Sequence, residues 1–214
     1  MGDFALCFYR DLINEVKEIV AIDMVYVTDY IFRLVYSNST TLKLMYNLKI
    51  YHEESYRHSI RACIYSVIVS KEVISDNILN IDVCLASLLH DIGKLKIPLD
   101  ILNKDGRLNE IELDIIRTHI GHSNDILLSL NYNDYIRWLV MNHHELPNAT
   151  GYPRGIVNNK ICTQVIAICD MFDALTSKRV YKEAFSVDNS LELIEREGFT
   201  PYLIQILAER SKKE

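Results

Sequence analysis

Five histidines and two aspartates punctuate this chain at near-even intervals. His58, the pair His90-Asp91, His119, the pair His143-His144, and Asp170 follow one another 24 to 32 residues apart. Each lies on or at the end of its own apolar-patterned segment, a spacing that suits one donor group per helix. A recurrence of this kind points to a metal site gathered inside a helical bundle.

Size and composition narrow the alternatives. With 214 residues and 49% hydrophobic content, the chain can bury the core of one ordinary domain and has no room for a second large module. No apolar stretch approaches the roughly 20 residues that span a bilayer, so membrane insertion is not expected. The opening Met-Gly-Asp-Phe-Ala-Leu has neither a basic leader nor the Ser/Thr of a myristoylation signal, and a cytoplasmic location is expected. Five cysteines (Cys7, Cys63, Cys84, Cys162, Cys169) are odd in number and show no C-x-x-C spacing, which fits reduced core thiols better than a disulfide scaffold or zinc ribbon. A net charge of −6 argues against broad nucleic-acid binding while leaving room for a local cationic pocket.

Three-to-four residue apolar spacing, with only 7 Gly and 4 Pro, predicts an all-α chain. Helices are expected near 3–20, 24–36, 40–72, 77–91, 109–129, 132–144, 159–178, 187–197 and 201–212. Asn109 followed by Glu112 reads as a capping box, and Thr200-Pro201 as a cap before a first-turn proline. Residues 145–158, with Pro147, Gly151, Pro153 and Gly155, form the one long loop. The first fifty residues carry no recognisable chemical constellation and read as a helical extension for packing or dimerisation, ahead of a catalytic domain over 51–214.

Taken singly, the donor residues are ambiguous. An apolar helix ending in His90-Asp91 would shelter both groups, whose desolvation must be offset by a metal or by hydrogen bonds; alone, the pair is equally compatible with a structural hydrogen bond. Gly93 would stop that helix and let Lys94 turn back over the site. His143 and His144, diverging by about 100° if helical, are awkward in one core niche and better suited to straddling metals. His119 alone would more often be a satisfied polar residue. Asp170 follows the buried run Val165-Ile166-Ala167-Ile168-Cys169, where an unpaired carboxylate would be costly. The combination favours ligands.

The ordered strips His58-Ser59-Ile60-Arg61, His90-Asp91-Ile92-Gly93-Lys94 with Ile97-Pro98, His119, His143-His144-Glu145, Gly151-Tyr152-Pro153, and Asp170 through Arg179 resemble the HD-GYP subset of HD-superfamily phosphohydrolases, from about Glu54 to about Phe185. The resemblance implies an all-α HD-domain bundle with additional N- and C-terminal helices, holding two or three divalent metal ions, iron or manganese, and hydrolysing cyclic di-GMP or a related cyclic dinucleotide, in the first case to linear pGpG and on to GMP. It implies that His58, His90, Asp91 and Asp170 hold one metal, that Asp91 bridges to a second held by His119, His143 and His144, and that Glu54 supplies a third-metal ligand. Asp91 and Lys94 are then the catalytic pair, and Lys94, Tyr152, Arg179 and Lys182 face the substrate. A homodimer or a signalling-protein partner are the expected protein contacts.

The chain departs from the family where Asn148-Ala149 replaces the usual Asp-Gly and Leu146-Pro147 the usual polar-aromatic pair. Ala disfavours positive φ, so loop geometry and substrate preference are in question. Two other classes remain open: a metal-containing cyclic-dinucleotide sensor with little turnover, and a general HD-type nucleotide phosphohydrolase.

Overall fold

The computed structural model describes residues 2–19, 24–177 and 184–211. It is all-helical among these residues: α1 (Gly2–Ile19), α2 (Met24–Tyr36), α3 (Ser39–Tyr51), α4 (Glu53–Val73), α5 (Asn77–Leu89), a 3-10 turn at Ile92–Lys96, α6 (Leu99–Leu102), α7 (Glu110–Arg117), α8 (His119–Ser129), α9 (Asp134–Met141), α10 (Ile161–Thr176), α11 (Val187–Arg196) and α12 (Pro201–Ser211). No described helix is long and apolar enough to cross a membrane.

Helices α4, α5 and α10 form the centre. Buried side chains surround α10 almost without a gap from Cys162 to Asp173, and most of α4 from Ser55 to Ser70, as expected of helices enclosed on every side. Small residues let them approach closely: Ser66 donates to Ser87 at 2.8 Å, and the Cys63 thiol to the Cys84 carbonyl at 3.4 Å. All five cysteines are free thiols, four of them buried. The core is continuous with the N-terminal helices through Phe8, Leu12, Val16, Ile31 and Met45.

Several helix starts follow from the sequence. Asp76 caps α5, Asn133 caps α9, and Asn109 with Glu112 forms the expected reciprocal box at α7. Helix α12 begins at Pro201 as expected, but the Thr200 hydroxyl bonds Gln164 Oε1 at 2.9 Å, tying α12 to α10.

Two expected helices are broken, each at a polar side chain that competes with the backbone ladder. The segment 40–72 divides at His52, whose extended backbone (φ −151°, ψ 96°) closes α3 while its Nδ1 accepts the Ser55 amide at 3.1 Å and so caps α4. The segment 109–129 divides at Thr118, whose hydroxyl takes the Ile115 carbonyl at 2.6 Å while His119 Nδ1 takes that of Ile116 at 2.7 Å. Gly93 does not stop a helix. It lies in the 3-10 turn beyond α5, packed so closely on α8 that a Cβ there would sit 2.0 Å from the His119 carbonyl oxygen.

Candidate metal centre and cleft

Three histidines enter the site in one way. His90, His119 and His143 each stand at a helix boundary, and each Nδ1 donates to the carbonyl three residues earlier: Ser87 at 2.7 Å, Ile116 at 2.7 Å and Val140 at 2.6 Å. That bond sets the tautomer, leaving each Nε2 as a lone pair aimed inward. His58, one turn into α4, is oriented from behind by Asp173, whose Oδ2 lies 2.7 Å from His58 Nδ1. His143 and His144 follow the end of α9 in a turn rather than on the helix, with ring centroids 4.0 Å apart.

Donor atoms from these residues converge in three overlapping groups, each within 4.8 Å: His58, His90 and Asp170; His90, Asp91 and His143; and His119, His143 and His144. Asp91 lies between them. Its Oδ1 is 3.4 Å from His119 Nε2, while its Oδ2 is 3.4 Å from His90 Nε2 and 3.7 Å from His58 Nε2. Asp170 Oδ1 approaches His58 Nε2 at 2.9 Å, and its Oδ2 lies 3.4 Å from His144 Nδ1.

The donor set fits metal ions on two grounds. His90 Nε2 and Asp91 Oδ1 are buried with no hydrogen-bond partner, a costly arrangement for two polar atoms unless a cation lies between them. His119 Nε2 and His143 Nε2 face each other at 3.5 Å, yet both rings place their proton on Nδ1, so the contact brings two lone pairs together. For Asp91, Asp170, His119, His143 and His144 electrostatics favour the ligating form. Burial opposes the charges of both carboxylates, but Lys94, His90 and His119 hold Asp91, and His58, His144 and His90 hold Asp170, well below the usual range. Burial and neighbouring rings hold His143 and His144 low, hence neutral at pH 7, and burial also lowers His119.

A cleft opens beside this centre, lined by His52, Glu54, His58, Lys94, Lys104 and Ile116, among others, with a volume of about 230 Å³. Glu54 faces it one turn before His58, outside the three converging groups. Lys94 Nζ lies 2.5 Å from Asp91 Oδ2, between centre and cleft. Tyr152 stacks on His144 at 4.5 Å and 25°, with the Arg117 guanidinium 5.3 Å from its own ring centre. Arg179 and Lys182 lie outside the described residues.

The loop bearing Tyr152 keeps a left-handed turn although alanine occupies it: Ala149 has φ 63°. Asn148 compensates, with Oδ1 accepting the Thr150 amide at 3.0 Å and Nδ2 donating to Glu197 at 2.8 Å. Gly151 is required by close approach, since a Cβ there would lie 2.2 Å from the His144 carbonyl oxygen. Buried Glu145 anchors the loop by accepting the Arg154 amide at 2.8 Å and the Ile156 amide at 3.0 Å.

Sequence reasoning assigned no role to His52, Arg61, Ser123, Glu145 or Asp173. Two signals were available: Arg61 follows His58, and Asp173 follows Asp170, by three residues on the same helix face. Ser123 holds the 3-10 turn to α8, donating to the His90 carbonyl at 2.9 Å and accepting the Gly93 amide at 2.8 Å.

The model of the HD domain family matches residues 44–202. A 3'3'-cGAMP-specific phosphodiesterase of Vibrio cholerae is 34% identical over 140 residues, 64% of this chain and 30% of that protein. A cyclic di-GMP phosphodiesterase of Pseudomonas aeruginosa is 32% identical over 182 residues, 82% of this chain and 43% of that protein. This chain therefore spans less than half the length of these relatives. Among solved structures, the HDG"Y"P protein from Bdellovibrio bacteriovorus superposes with a TM-score of 0.59 at 18% identity, covering 72% of this chain and 51% of that one. The HD domain of the Listeria monocytogenes phosphodiesterase PgpH gives a TM-score of 0.59 at 17% identity, covering 78% and 93%. The chain belongs to the HD-domain family and, by its ordered motifs and these relatives, to the HD-GYP subset.

Proposed function

We propose that this chain is a metal-dependent phosphodiesterase that opens cyclic di-GMP to linear pGpG and carries it on to GMP. The observation that carries the reading is Asp91, buried between two groups of imidazoles with one oxygen toward each. Divalent ions held there supply Lewis acidity toward phosphate oxygens and lower the pKa of bound water. In this reading His58, His90 and Asp170 hold one ion and His119, His143 and His144 a second, with Asp91 shared between them. Glu54 serves a third from the cleft side. Mixed imidazole and carboxylate donors suit iron or manganese.

The remaining residues act on the substrate. Lys94, already beside Asp91, directs its ammonium to a phosphate oxygen or the leaving 3′-oxygen, stabilising charge as it develops. Tyr152, fixed against His144, offers a ring face to guanine and a hydroxyl to phosphate. Arg179 and Lys182 complete the proposal as phosphate contacts, by resemblance alone. A cyclic GMP-AMP substrate is the second reading, supported by the relative in Vibrio cholerae named as specific for it.

The test is anaerobically purified protein of known metal content incubated with cyclic di-GMP, 3'3'-cGAMP, cyclic di-AMP, pGpG and mononucleotides. The expected result is cyclic di-GMP consumption with pGpG appearing before GMP. Binding without turnover in both iron and manganese forms would overturn it in favour of a sensor, and turnover of mononucleotides alone in favour of a general phosphohydrolase. Asp91→Ala should lose metal and activity together, and Glu54→Ala should lower the metal count by one.

A further inference from the structure

Helix α1 supplies two acids, Asp11 and Glu15, on its buried face beside Phe8, Leu12 and Val16. Buried carboxylates on a packing face need partners, and both find them on α3 and α4. Asp11 Oδ2 pairs with Lys49 of α3 and accepts the Tyr56 hydroxyl of α4 at 3.0 Å. Glu15 Oε1 accepts Arg57 Nη1 at 2.8 Å, and its Oε2 lies 3.5 Å from Arg61 Nη1.

Arg61 continues inward. Its Nε donates to Asp173 Oδ1 at 2.7 Å and its Nη2 to Asp173 Oδ2 at 3.1 Å. The same Oδ2 takes His58 Nδ1 at 2.7 Å. A row of alternating charge, Arg57, Glu15, Arg61 and Asp173, therefore runs from the N-terminal helix to the back of an inward-facing imidazole.

We infer that Glu15 is a positioning residue for the metal centre: by holding the outer nitrogen of Arg61, it keeps the guanidinium fork on Asp173, and Asp173 keeps His58 in its ligating tautomer and orientation. Among the described residues, Asp173 is bonded by His58, Arg61 and the Ser177 hydroxyl. Arg61 has somewhere else to go. It borders a cavity whose wall also carries the acids Glu18 and Asp188, and on this inference loss of Glu15 lets its outer nitrogen turn toward one of these competing carboxylates. The seating of α1 on α4 thereby sets metal affinity at His58. This rests on the proposed metal centre but not on the identity of the nucleotide.

The test measures Mn²⁺ affinity of the full chain without nucleotide, using the electron paramagnetic resonance signal of the free ion. Changing a residue that hydrogen-bonds and orients a metal ligand costs roughly 10–100-fold in affinity. Glu15→Gln, one step further out, is expected to weaken the tightest site by about 3–10-fold, Glu15→Asp by less, and Glu53→Gln, which frees only the exposed side of Arg57, not at all. In an Arg61→Met background Glu15→Gln should have no further effect. Unchanged Mn²⁺ affinity in Glu15→Gln, or an equal loss with and without Arg61, overturns the inference, as does a loss that Glu53→Gln reproduces. Wild-type protein that binds no Mn²⁺ would sink the metal centre as well; wild-type protein that binds Mn²⁺ and ignores Glu15 would sink this inference alone.

Discussion

Replacing Gly93 by alanine tests how tightly the fold holds the two halves of the centre together. A Cβ at this position would lie 2.0 Å from the His119 carbonyl oxygen, 2.5 Å from the Ser123 amide nitrogen and 2.8 Å from Ser123 Oγ. Two of these are backbone atoms of α8, so no side-chain rotation relieves the clash. Ordinary contact begins at 3.4 Å, so the 3-10 turn and α8 must separate by about 1.4 Å, several times the tolerance of about 0.2 Å on a metal-ligand bond. That movement carries Asp91 and Lys94 away from His119. Overpacking of this kind costs about 1–3 kcal/mol, and losing the Gly93–Ser123 hydrogen bond about 1 kcal/mol more. Together that is about 2–4 kcal/mol, and at roughly 2–4 °C per kcal/mol for a chain of this size the metal-free Tm should fall by about 4–16 °C. Metal bound after loading should fall by at least one ion, read by elemental analysis. Gly121→Ala, two residues beyond His119 on the same helix with nothing within 4 Å of its Cβ, is the control, and should gain about 0.5–1 kcal/mol from helix propensity. If Gly93→Ala melted within about 2 °C of wild type and held its full metal complement, the close approach would not be what assembles the site.

Other consequences follow from the same geometry. Ala149→Gly removes an alanine from the left-handed region at φ 63° and should stabilise the protein by about 0.5–1 kcal/mol in urea denaturation; destabilisation would show that the loop does not need this turn. Burial disfavours a charged His90, but Asp91 and Asp170 outweigh it and raise its pKa to about 8. The metal-free fold therefore has a contribution from His90 that is present below its ordinary pKa of 6.5 and lost as pH rises through about 8. Metal binding must displace that proton, so Mn²⁺ affinity should fall by about tenfold per pH unit below 8, and a flat profile between about pH 6.5 and 8 would refute it. His52→Asn keeps a good helix cap while removing an imidazole from the cleft beside Lys94. Its Tm and metal count should match wild type, with KM for cyclic di-GMP raised by about 3–10-fold; an unchanged KM would exclude His52 from substrate contact.

How much was legible in the sequence varies with the range of the interaction. The helical class was written in apolar spacing and in the scarcity of Gly and Pro, and the Asn109–Glu112 box in adjacent residues, because these are local preferences. Helix ends were misjudged where a side chain competes with the backbone: His52 and Thr118 interrupt segments whose apolar pattern runs straight through them. The expected metal ligands converge in one place except Glu54, which stands with Lys94 in the cleft, while Tyr152 lies against His144.

By itself, then, the sequence determined which chemical groups were available and that they would arrive one per helix, since type and spacing are properties of the chain. Only the tertiary structure decided how they meet. The back-bonds that turn His90, His119 and His143 inward, the orphaned atoms of His90 and Asp91, and the close contact at Gly93 depend on where helices end and how near they pack. The same holds for Glu15, which stands 43 residues before His58 in a segment without a recognisable motif. Its place behind the centre comes from the packing of α1 on α4, and no local pattern encodes that distance.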